Sequence, residues 1–382
     1  MLEGSDFKRF KTEVETATSE DLVKLDDLRK EVRLLGIPST IKDYSTTAVS
    51  LVSSDGGNNR LRFDPFEIQI IRVVDSYGME GCLDVVSRYA DVNKISDQQF
   101  KNGEPCTPLG EMMADLGVHT LQDLSPMLKP RLVEGRKVLS PSWVLVYRDF
   151  WEWAILYDKL RNGNFVTDTL IVIDGLLRSK VFRDDLFVVL VGLMQKHIAR
   201  IRNTQHRNVY LVGVAKRSKV VDRYQLAMML EAKLREPRAV YALVPKDIED
   251  RAYEWPEYTR RPEDVVEGGE KAKFVGGRLY LAKFGPRPGD PIWPVDVLLG
   301  QEPQVDRIMG YLKSDADVGF PVPYFPRCVQ KAHEYSTISG IDADILQDEI
   351  LRTILKHLEG KDVDSFEEFV LRPRDPGGAR YE

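Results

Sequence analysis

Two aspartates stand directly after apolar runs in this sequence, and each is followed by a glycine. Asp55 follows "SLVSS" and Asp174 follows "LIVI". Ligands of α/β sheets bind beyond the carboxyl ends of the strands, and a glycine there lets the backbone turn and leaves the carboxylate accessible. Two carboxylates brought together repel each other unless a cation neutralises them, and Mg²⁺ or Mn²⁺ prefers such oxygen ligands. The pattern predicts a divalent metal site, although Asp-Gly is also a common structural turn.

A third acid, Glu152, lies among aromatic and aliphatic residues in "RDFWEWAILYDKL". If this segment is a helix, Glu152 shares a face with Arg148 near the edge of the buried stripe. A carboxylate in such a place needs an ion partner or a coordinated metal. The residues alone leave both interpretations open, namely a metal ligand and an Arg148–Glu152 salt bridge.

Two groups of cations follow predicted strands. Lys216 ends the apolar run "VYLVGVAK" and is followed by Arg217 and Lys219, while Arg178 and Lys180 come shortly after Asp174. Clustered cations beside a metal cleft suit the phosphates of a nucleic-acid backbone. Solvated charges at strand ends are the alternative for both groups.

The segment "GFPVPYFPRCVQKAHEY" combines a proline-rich entry with a helical pattern. Its histidine, His333, could coordinate a metal or carry a proton, whereas a structural histidine is the alternative. Its tyrosine, Tyr324, could orient a nucleic-acid strand or stack on a base, a contact that tolerates any sequence.

Composition sets the outer limits of the interpretation. The chain has 382 residues, of which 43% are hydrophobic and 30% charged, as in soluble globular proteins. A formal net charge of -6 means that any nucleic-acid surface must be a local cluster of cations. The three cysteines are far apart and predict neither a disulfide framework nor a zinc site. A charged N-terminus and the lack of a long apolar run predict a cytoplasmic protein without a membrane span.

The periodicity predicts an α/β domain with a mixed sheet. Strands are expected at 46–54 and 60–74, joined by a turn at "DGGNN" (55–59), and again at 168–175 and 208–218, with shorter candidates in "RAVYALV" and "GRLYLAKFG". Helices are expected at 8–36, 141–163, 184–203, 223–236, 302–314, 326–338 and 343–358. Residues 76–140 look like a helical insertion with pieces at "QQFKNGE" and "LGEMMADLG", and the tail "RPRDPGGARYE" is predicted to be disordered.

Five short motifs occur in an order that resembles one family, the NurA nucleases. They are "SLVSSDGG", "WEWA", "IVIDGLL", "YLVGVAK" and "FPVPYFPRCVQKAHEY", and they extend from about residue 46 to about residue 340. The resemblance implies a ribonuclease H-like core, a homodimer that encloses a DNA channel, and Mn²⁺-dependent cleavage of DNA. It also implies a partner, the hexameric HerA-type translocase of DNA end processing.

The resemblance assigns the metal-binding acids to Asp55, Glu152 and Asp174, and the late aromatic and histidine to Tyr324 and His333. In the family a serine usually follows the first Asp-Gly and a proline or serine the second, whereas this chain has a glycine and a leucine there. Neither change removes a ligand.

The match at Glu152 is the weakest of these assignments, because its motif is little more than an acid in a helix. Asp149 or Asp158 could take its place. With the carboxylates, His333 is expected to complete a metal site or shuttle a proton, and Lys216 to hold a phosphate.

Together these observations predict a nuclease that uses two Mn²⁺ or Mg²⁺ ions, acting in DNA repair or in defence against invading DNA. The expected organisation is a helical N-terminal extension for partner docking (1–45), a nuclease domain (46–340), and a C-terminal helix with its tail (341–382). A restriction-endonuclease-like site requires an acid two residues before the strand lysine, but Val214 stands there before Lys216. The sequence has no GxxxxGK[ST] loop, which argues against a nucleotide-hydrolysing enzyme. The competing hypothesis is an inactive adaptor that docks on the HerA-type ring.

Overall fold

The fold is built on one large mixed sheet with helices on both faces. The computed structural model describes residues 4–44, 49–63, 66–87, 89–133, 136–140, 142–337 and 340–358, together with 362 and 366. In chain order the strands are β1 (Ser39–Thr40), β2 (Val49–Phe63), β3 (Phe66–Asp75), β4 (Glu80–Ser87), β5 (Phe100–Lys101), β6 (Glu104–Pro105), β7 (Arg131–Val133), β8 (Arg136–Val138), β9 (Asp168–Asp174), β10 (Val209–Val214), β11 (Val240–Leu243), β12 (Gly277–Lys283) and β13 (Trp293–Leu298). The mixed sheet flanked by helices confirms the predicted fold class.

The helices at Trp143–Asn162 and Leu186–Gln205 bury apolar residues on one face, as the sequence predicts. In chain order the helices are α1 (Gly4–Arg33), α2 (Val92–Asp97), α3 (Pro108–Asp115), α4 (Leu121–Leu124), α5 (Trp143–Asn162), α6 (Leu186–Gln205), α7 (Lys219–Leu230), α8 (Lys246–Ala252), α9 (Val305–Ala316), α10 (Arg327–Ser336) and α11 (Gly340–Leu355). Among the described residues, none of these helices is long and apolar enough to cross a membrane.

The centre of the sheet is a parallel triplet of strands. Nine of the described strands pair in the order β1-β11-β12-β13-β10-β9-β2-β3-β4, in which β2, β9 and β10 run parallel and their outer neighbours are antiparallel. Residues 170–173 of β9 and nearly all of β10 are apolar, as expected for strands that helices cover on both faces. The carboxyl ends of β9 and β10 therefore meet at one edge, beside Ser54 in the middle of β2.

The two faces of the sheet are packed by different helices. Ile171 and Leu211 belong to a core cluster with residues of α5 and α6, whereas Leu170 and Val172 pack with residues of α9, α10 and Phe325. This alternation follows from the two-residue period of a strand. It places position 174 in step with 170 and 172, on the α9–α10 side.

The predicted turn at 55–59 is wrong. Strand β2 continues through Asp55 and the following glycines as far as Phe63, which pairs with Phe66 of β3. The long antiparallel partner β3 supplies hydrogen bonds along the whole segment, so tertiary pairing overrides the local turn propensity of "DGGNN".

The predicted helical insertion at 76–140 is only partly helical. Strand β4 belongs to the main sheet and pairs with β3, and "QQFKNGE" forms the short β5–β6 hairpin instead of a helix. The helix predicted at "LGEMMADLG" is present as α3.

Helix α7 begins earlier than predicted because Ser218 caps it through a hydrogen bond from the amide of Val221 to Oγ (3.1 Å). The tail beyond residue 366 lies outside the described residues.

Candidate active site

The backbone brings the two predicted aspartates to adjacent positions. In the β2–β9 ladder, Ser54 is the register partner of Ile173. The next position on each strand is Asp55 on β2 and Asp174 on β9, so their Cα atoms belong to neighbouring parallel strands about 4.8 Å apart. The side chain of Asp55 lies outside the described residues. The register alone nevertheless joins the two acids that the sequence singles out.

The glycine after Asp174 makes the turn that the sequence predicts. Gly175 has a φ of 139°, a value that favours glycine, and its amide donates to the carbonyl of Val214 on β10 at 3.0 Å. A second glycine, Gly213, makes room for this turn, since a Cβ atom there would lie 2.3 Å from the carbonyl oxygen of Gly175. The loop that carries Asp174 is therefore held directly against β10.

Lys216 lies beside Asp174 at the end of the third parallel strand. Val214 is the register partner of Asp174, and two residues later the Lys216 ammonium lies 3.1 Å from Oδ2 of Asp174. The ammonium also lies 5.5 Å from the ring centroid of Phe325, a cation–π contact. The side chain of Asp174 is 19% exposed and that of Lys216 is 47% exposed, so both remain accessible to a ligand.

Glu152 and Asp149 lie on α5 and line a cleft of about 420 Å³ together with Asp174. Arg148 contacts both acids, with Nε 3.1 Å from Glu152 and Nη2 3.2 Å from Asp149. Burial raises the pKa of the Asp149 carboxyl, while Arg148 acts in the opposite direction. The salt bridge that the sequence left open is thus present in this structure.

Asp158, the remaining alternative to Glu152, is placed differently. Its carboxylate accepts a hydrogen bond from the side-chain amide of Asn162 at 2.8 Å, and it is not among the residues that line the cleft with Glu152 and Asp174. On this geometry, Glu152 and Asp149 are the helix acids available to the cleft.

Arg178, which the sequence predicts to be an exposed phosphate contact, is buried. Its side chain is 9% exposed and pairs with Asp296 (2.8 Å) and Glu249 (2.5 Å), both of which are fully buried. Burial alone would lower the pKa of Arg178, but the two carboxylates raise it, so the guanidinium stays charged. Arg178 also lines the cleft with Asp174, so its contact with a phosphate stays a prediction, but its guanidinium is engaged in an internal ion-pair network.

This network was not foreseen from the sequence. Arg261 is also buried and pairs with Glu249, so two guanidiniums face two carboxylates in the interior. The one available signal was Asp296, an isolated acid in the apolar run "WPVDVL". A charge in such a run must have a buried partner of opposite sign.

The other predicted cations remain at the surface. Lys180 is exposed and lines the same cleft as Asp174. Arg217 is exposed, and Lys219 is the first residue of α7. The helix N-terminus adds a partial positive charge to these side chains. The cations around Asp174 are therefore placed to attract a phosphate.

The segment with Tyr324 and His333 closes the α9–α10 side of the site. Tyr324 has a φ of 55°, a left-handed conformation that is uncommon for a bulky residue and is found mainly where function or packing demands it. Its neighbour Phe325 contacts Lys216. His333 is exposed on α10, which packs against β2 and β3. The histidine is thus carried by a helix in contact with the strand of Asp55.

The donors at this edge suit a hard divalent cation. Carboxylate oxygens are offered by Asp174, Glu152 and Asp149. The Lys216 ammonium occupies a position at Asp174 where a bound cation would also neutralise the carboxylate. Within the described side chains, no three acidic, histidine or cysteine residues are close enough together to hold a metal ion. The side chain of Asp55, the predicted partner of Asp174, lies outside that set.

Comparison with known proteins gives matches at the level of structure alone. No family model matches the chain. No curated protein matches it either. Several solved structures match over nearly its full length.

They are structures of NurA nucleases.

The NurA nuclease from Sulfolobus solfataricus is 14% identical, with a TM-score of 0.43, and the match covers 94% of this chain and 99% of that one. A NurA structure bound to dAMP and manganese is 12% identical, with a TM-score of 0.37, over 93% of this chain and 99% of that one. A NurA structure with manganese is 10% identical, with a TM-score of 0.37, and the match covers 92% of this chain and 99% of that one. These structures represent the family that the sequence motifs resemble. With TM-scores below 0.5, the likenesses carry no inference about the chemistry of this chain.

Proposed function

We propose that this protein is a metal-dependent nuclease that hydrolyses phosphodiester bonds in DNA. The observation that carries the proposal is the edge formed by β2, β9 and β10. There Asp55 and Asp174 are register neighbours, and Lys216 contacts Asp174. Adjacent carboxylates can hold the divalent ions of metal-assisted phosphodiester cleavage, and a nearby cation can bind a phosphate.

Asp55 and Asp174 would hold the metal, Mn²⁺ or Mg²⁺, with Glu152 or Asp149 as the acid from α5 and His333 as a further ligand or proton carrier. When bound, divalent ions supply a water of lowered pKa and neutralise charge that develops on the phosphate and on the leaving oxygen. Two ions at this site remain part of the proposal.

The residues of the chain itself position the substrate. Lys216 would leave Asp174 and pair with a phosphate oxygen, and Arg217, Lys219 and Lys180 would hold neighbouring phosphates. Tyr324, fixed beside Phe325, would orient the strand or stack on a base.

The wider biological proposal rests on the order of the sequence motifs. It comprises a ribonuclease H-like nuclease domain at 46–340, a homodimer around DNA, and work with a hexameric HerA-type ATPase in repair or defence. The placement of the acids on adjacent parallel strands within a mixed sheet supports the core assignment.

The double variant Asp55→Ala/Asp174→Ala tests the activity. We expect Mn²⁺-dependent cleavage of linear DNA to fall by at least about a hundredfold, as loss of central electrostatic groups does. The control is Asp6→Ala/Asp97→Ala, which removes two exposed acids elsewhere and should leave activity unchanged. A double variant as active as the wild type would refute the metal site. A wild-type protein that never cleaves DNA, even with its ATPase partner, would favour the adaptor hypothesis.

Glu152→Gln and Asp149→Asn identify the acid from α5. We expect Glu152→Gln to weaken Mn²⁺ binding measured by calorimetry and Asp149→Asn to leave it nearly unchanged, because burial already disfavours the charged form of Asp149. The reverse result would assign the role to Asp149.

A further inference from the structure

A second polar cleft lies at the opposite end of the central strands. It encloses about 1050 Å³ between the last turns of α6, the start of β10 and the loop that leads to α9. Val209 at the start of β10 lines this cleft, whereas Val214 at its end is the partner of Asp174. Five residues of strand separate the two ends by roughly 17 Å. The cleft is therefore distinct from the site of the acids.

Part-buried contacts of two glutamine side chains fix the walls of this second cleft. The side chain of Gln195 on α6 donates to the carbonyl of Leu299 at 2.7 Å. Gln301 accepts from the amide of Leu211 and donates to the carbonyl of Val209, both at 2.9 Å. Helix, strand and loop are thereby tied together. The shape of the cleft is therefore held by hydrogen bonds between the elements that line it.

Two arginines on separate elements give this cleft its charge. Arg307 on α9 donates to the hydroxyl of Tyr210 at 3.3 Å, which fixes one end of its guanidinium. Arg202 on α6 is exposed and makes no hydrogen bond or ion pair with the residues that the structure describes. Asp306, the acid that lines the same cleft, accepts a hydrogen bond from Tyr241 at 2.6 Å.

The surroundings of these arginines favour an anion. Helix α6 contains no acidic residue, although the chain as a whole carries a net charge of -6. Asn203 lines the cleft beside Arg202 and offers a neutral donor. The ring of Tyr44, half-buried in the cleft wall, packs edge-on against Tyr311 and offers a surface for a base.

We propose that this cleft binds phosphate groups of a single nucleic-acid strand, with Arg202 and Arg307 as the contacts. Guanidinium groups bind phosphate oxygens in pairs of parallel hydrogen bonds, and two of them facing one cleft suit successive phosphates. The proposal goes beyond the nuclease activity, since this binding needs neither the acids nor a metal.

The test measures strand binding without chemistry. Fluorescence anisotropy of a labelled oligothymidylate of about twelve nucleotides, in EDTA, follows binding to the full chain across a salt series. Each phosphate contact on a single strand contributes about 0.7 to the slope of log affinity against log salt. Arg202→Ala/Arg307→Ala should therefore lower that slope by about 1.4. The matched control, Lys94→Ala/Arg235→Ala, removes two exposed cations elsewhere and should leave the slope unchanged.

Two further measurements show whether a strand or a free nucleotide supplies the phosphate, and keep this result independent of the nuclease activity. Competition by free dAMP that disappears in the arginine variant would assign the cleft to a mononucleotide phosphate, whereas strand binding without such competition assigns it to the strand. The variant Asp55→Ala/Asp174→Ala should keep the full salt slope, so loss of cleavage does not affect this result. An arginine variant that melts like the wild type and keeps the wild-type slope would overturn the proposal.

Discussion

The ammonium of Lys216 lies 3.1 Å from Oδ2 of Asp174, where two parallel strands end side by side. A lysine in this place would have two effects on Asp174 as the proposed metal ligand. It neutralises the carboxylate when no metal is present, and it competes with a metal for the same oxygen. It is also the cation nearest to any phosphate bound at Asp174.

Competition with the metal and contact with a phosphate give opposite predictions for one variant. Lys216→Ala should bind Mn²⁺ several-fold more tightly, because the competing charge is gone, and cleave DNA at least about tenfold more slowly, because a phosphate contact is lost. Calorimetric titration and a nuclease assay measure the two separately. Lys219→Ala, which removes a nearby cation with no contact to Asp174, should leave Mn²⁺ affinity unchanged. Weaker Mn²⁺ binding in Lys216→Ala would contradict the competition.

The buried position of Arg178 predicts a large effect on folding. Arg178→Met leaves Asp296 and Glu249 without one of their cations, and breaking a buried ion pair by removing one partner costs about 3–5 kcal/mol. Urea unfolding measures this change. Lys180→Met is the matched control, since an exposed substitution should stay within about 0.5 kcal/mol. Equal stability of the two variants would show that the network contributes little.

The contact between Gly213 and the Asp174 loop predicts a difference between two glycine substitutions. Gly213→Ala places a Cβ 2.3 Å from the carbonyl oxygen of Gly175. We therefore expect the free energy of unfolding to fall by about 1–3 kcal/mol and Mn²⁺ binding to weaken. Gly192 on α6 has open space around it, and Gly192→Ala should stabilise the fold by about 0.5–1 kcal/mol. Thermal unfolding and metal titration test both. Normal Mn²⁺ affinity in Gly213→Ala would show that the loop adjusts.

The attachment of α1 should depend on acid pH. Hydrogen bonds from Arg33 and Arg29 lower the pKa of the Glu231 carboxyl from its ordinary value of 4.5 to about 2. A lowered folded pKa stabilises the folded state above the ordinary value, and this contribution is lost as pH falls from about 4.5 towards 2. The protection of the α1 amides, expressed relative to the intrinsic exchange rate at each pH, should therefore fall across that window.

Two variants check this origin of the pH dependence. Glu231→Gln should make exchange in α1 fast already at neutral pH and remove its dependence on acid. Glu13→Gln, an exposed acid of α1 paired only with Arg9 in the described contacts, should leave the pH profile as in the wild type. The same acid dependence in Glu231→Gln would assign it to another carboxylate.

The sequence by itself determined the apolar strands at the centre of the sheet and the two acids that follow their apolar runs. Apolar runs such as "LIVI" and "YLVGV" are buried on both faces, and so they identify β9 and β10 without tertiary information. Gly175 could likewise be assigned to a turn, because a glycine after an apolar strand has few other uses.

Only the tertiary structure decided how β2 continues and where the charges lie. The segment after Asp55 has turn-forming residues, yet antiparallel pairing with β3, the next strand in the chain, keeps it extended. Arg178 and Lys180 look alike in sequence, but one is buried against Asp296 from strand β13 and the other is exposed. Local sequence encodes propensity and period, whereas the partner of a charge is set by which distant strands become neighbours.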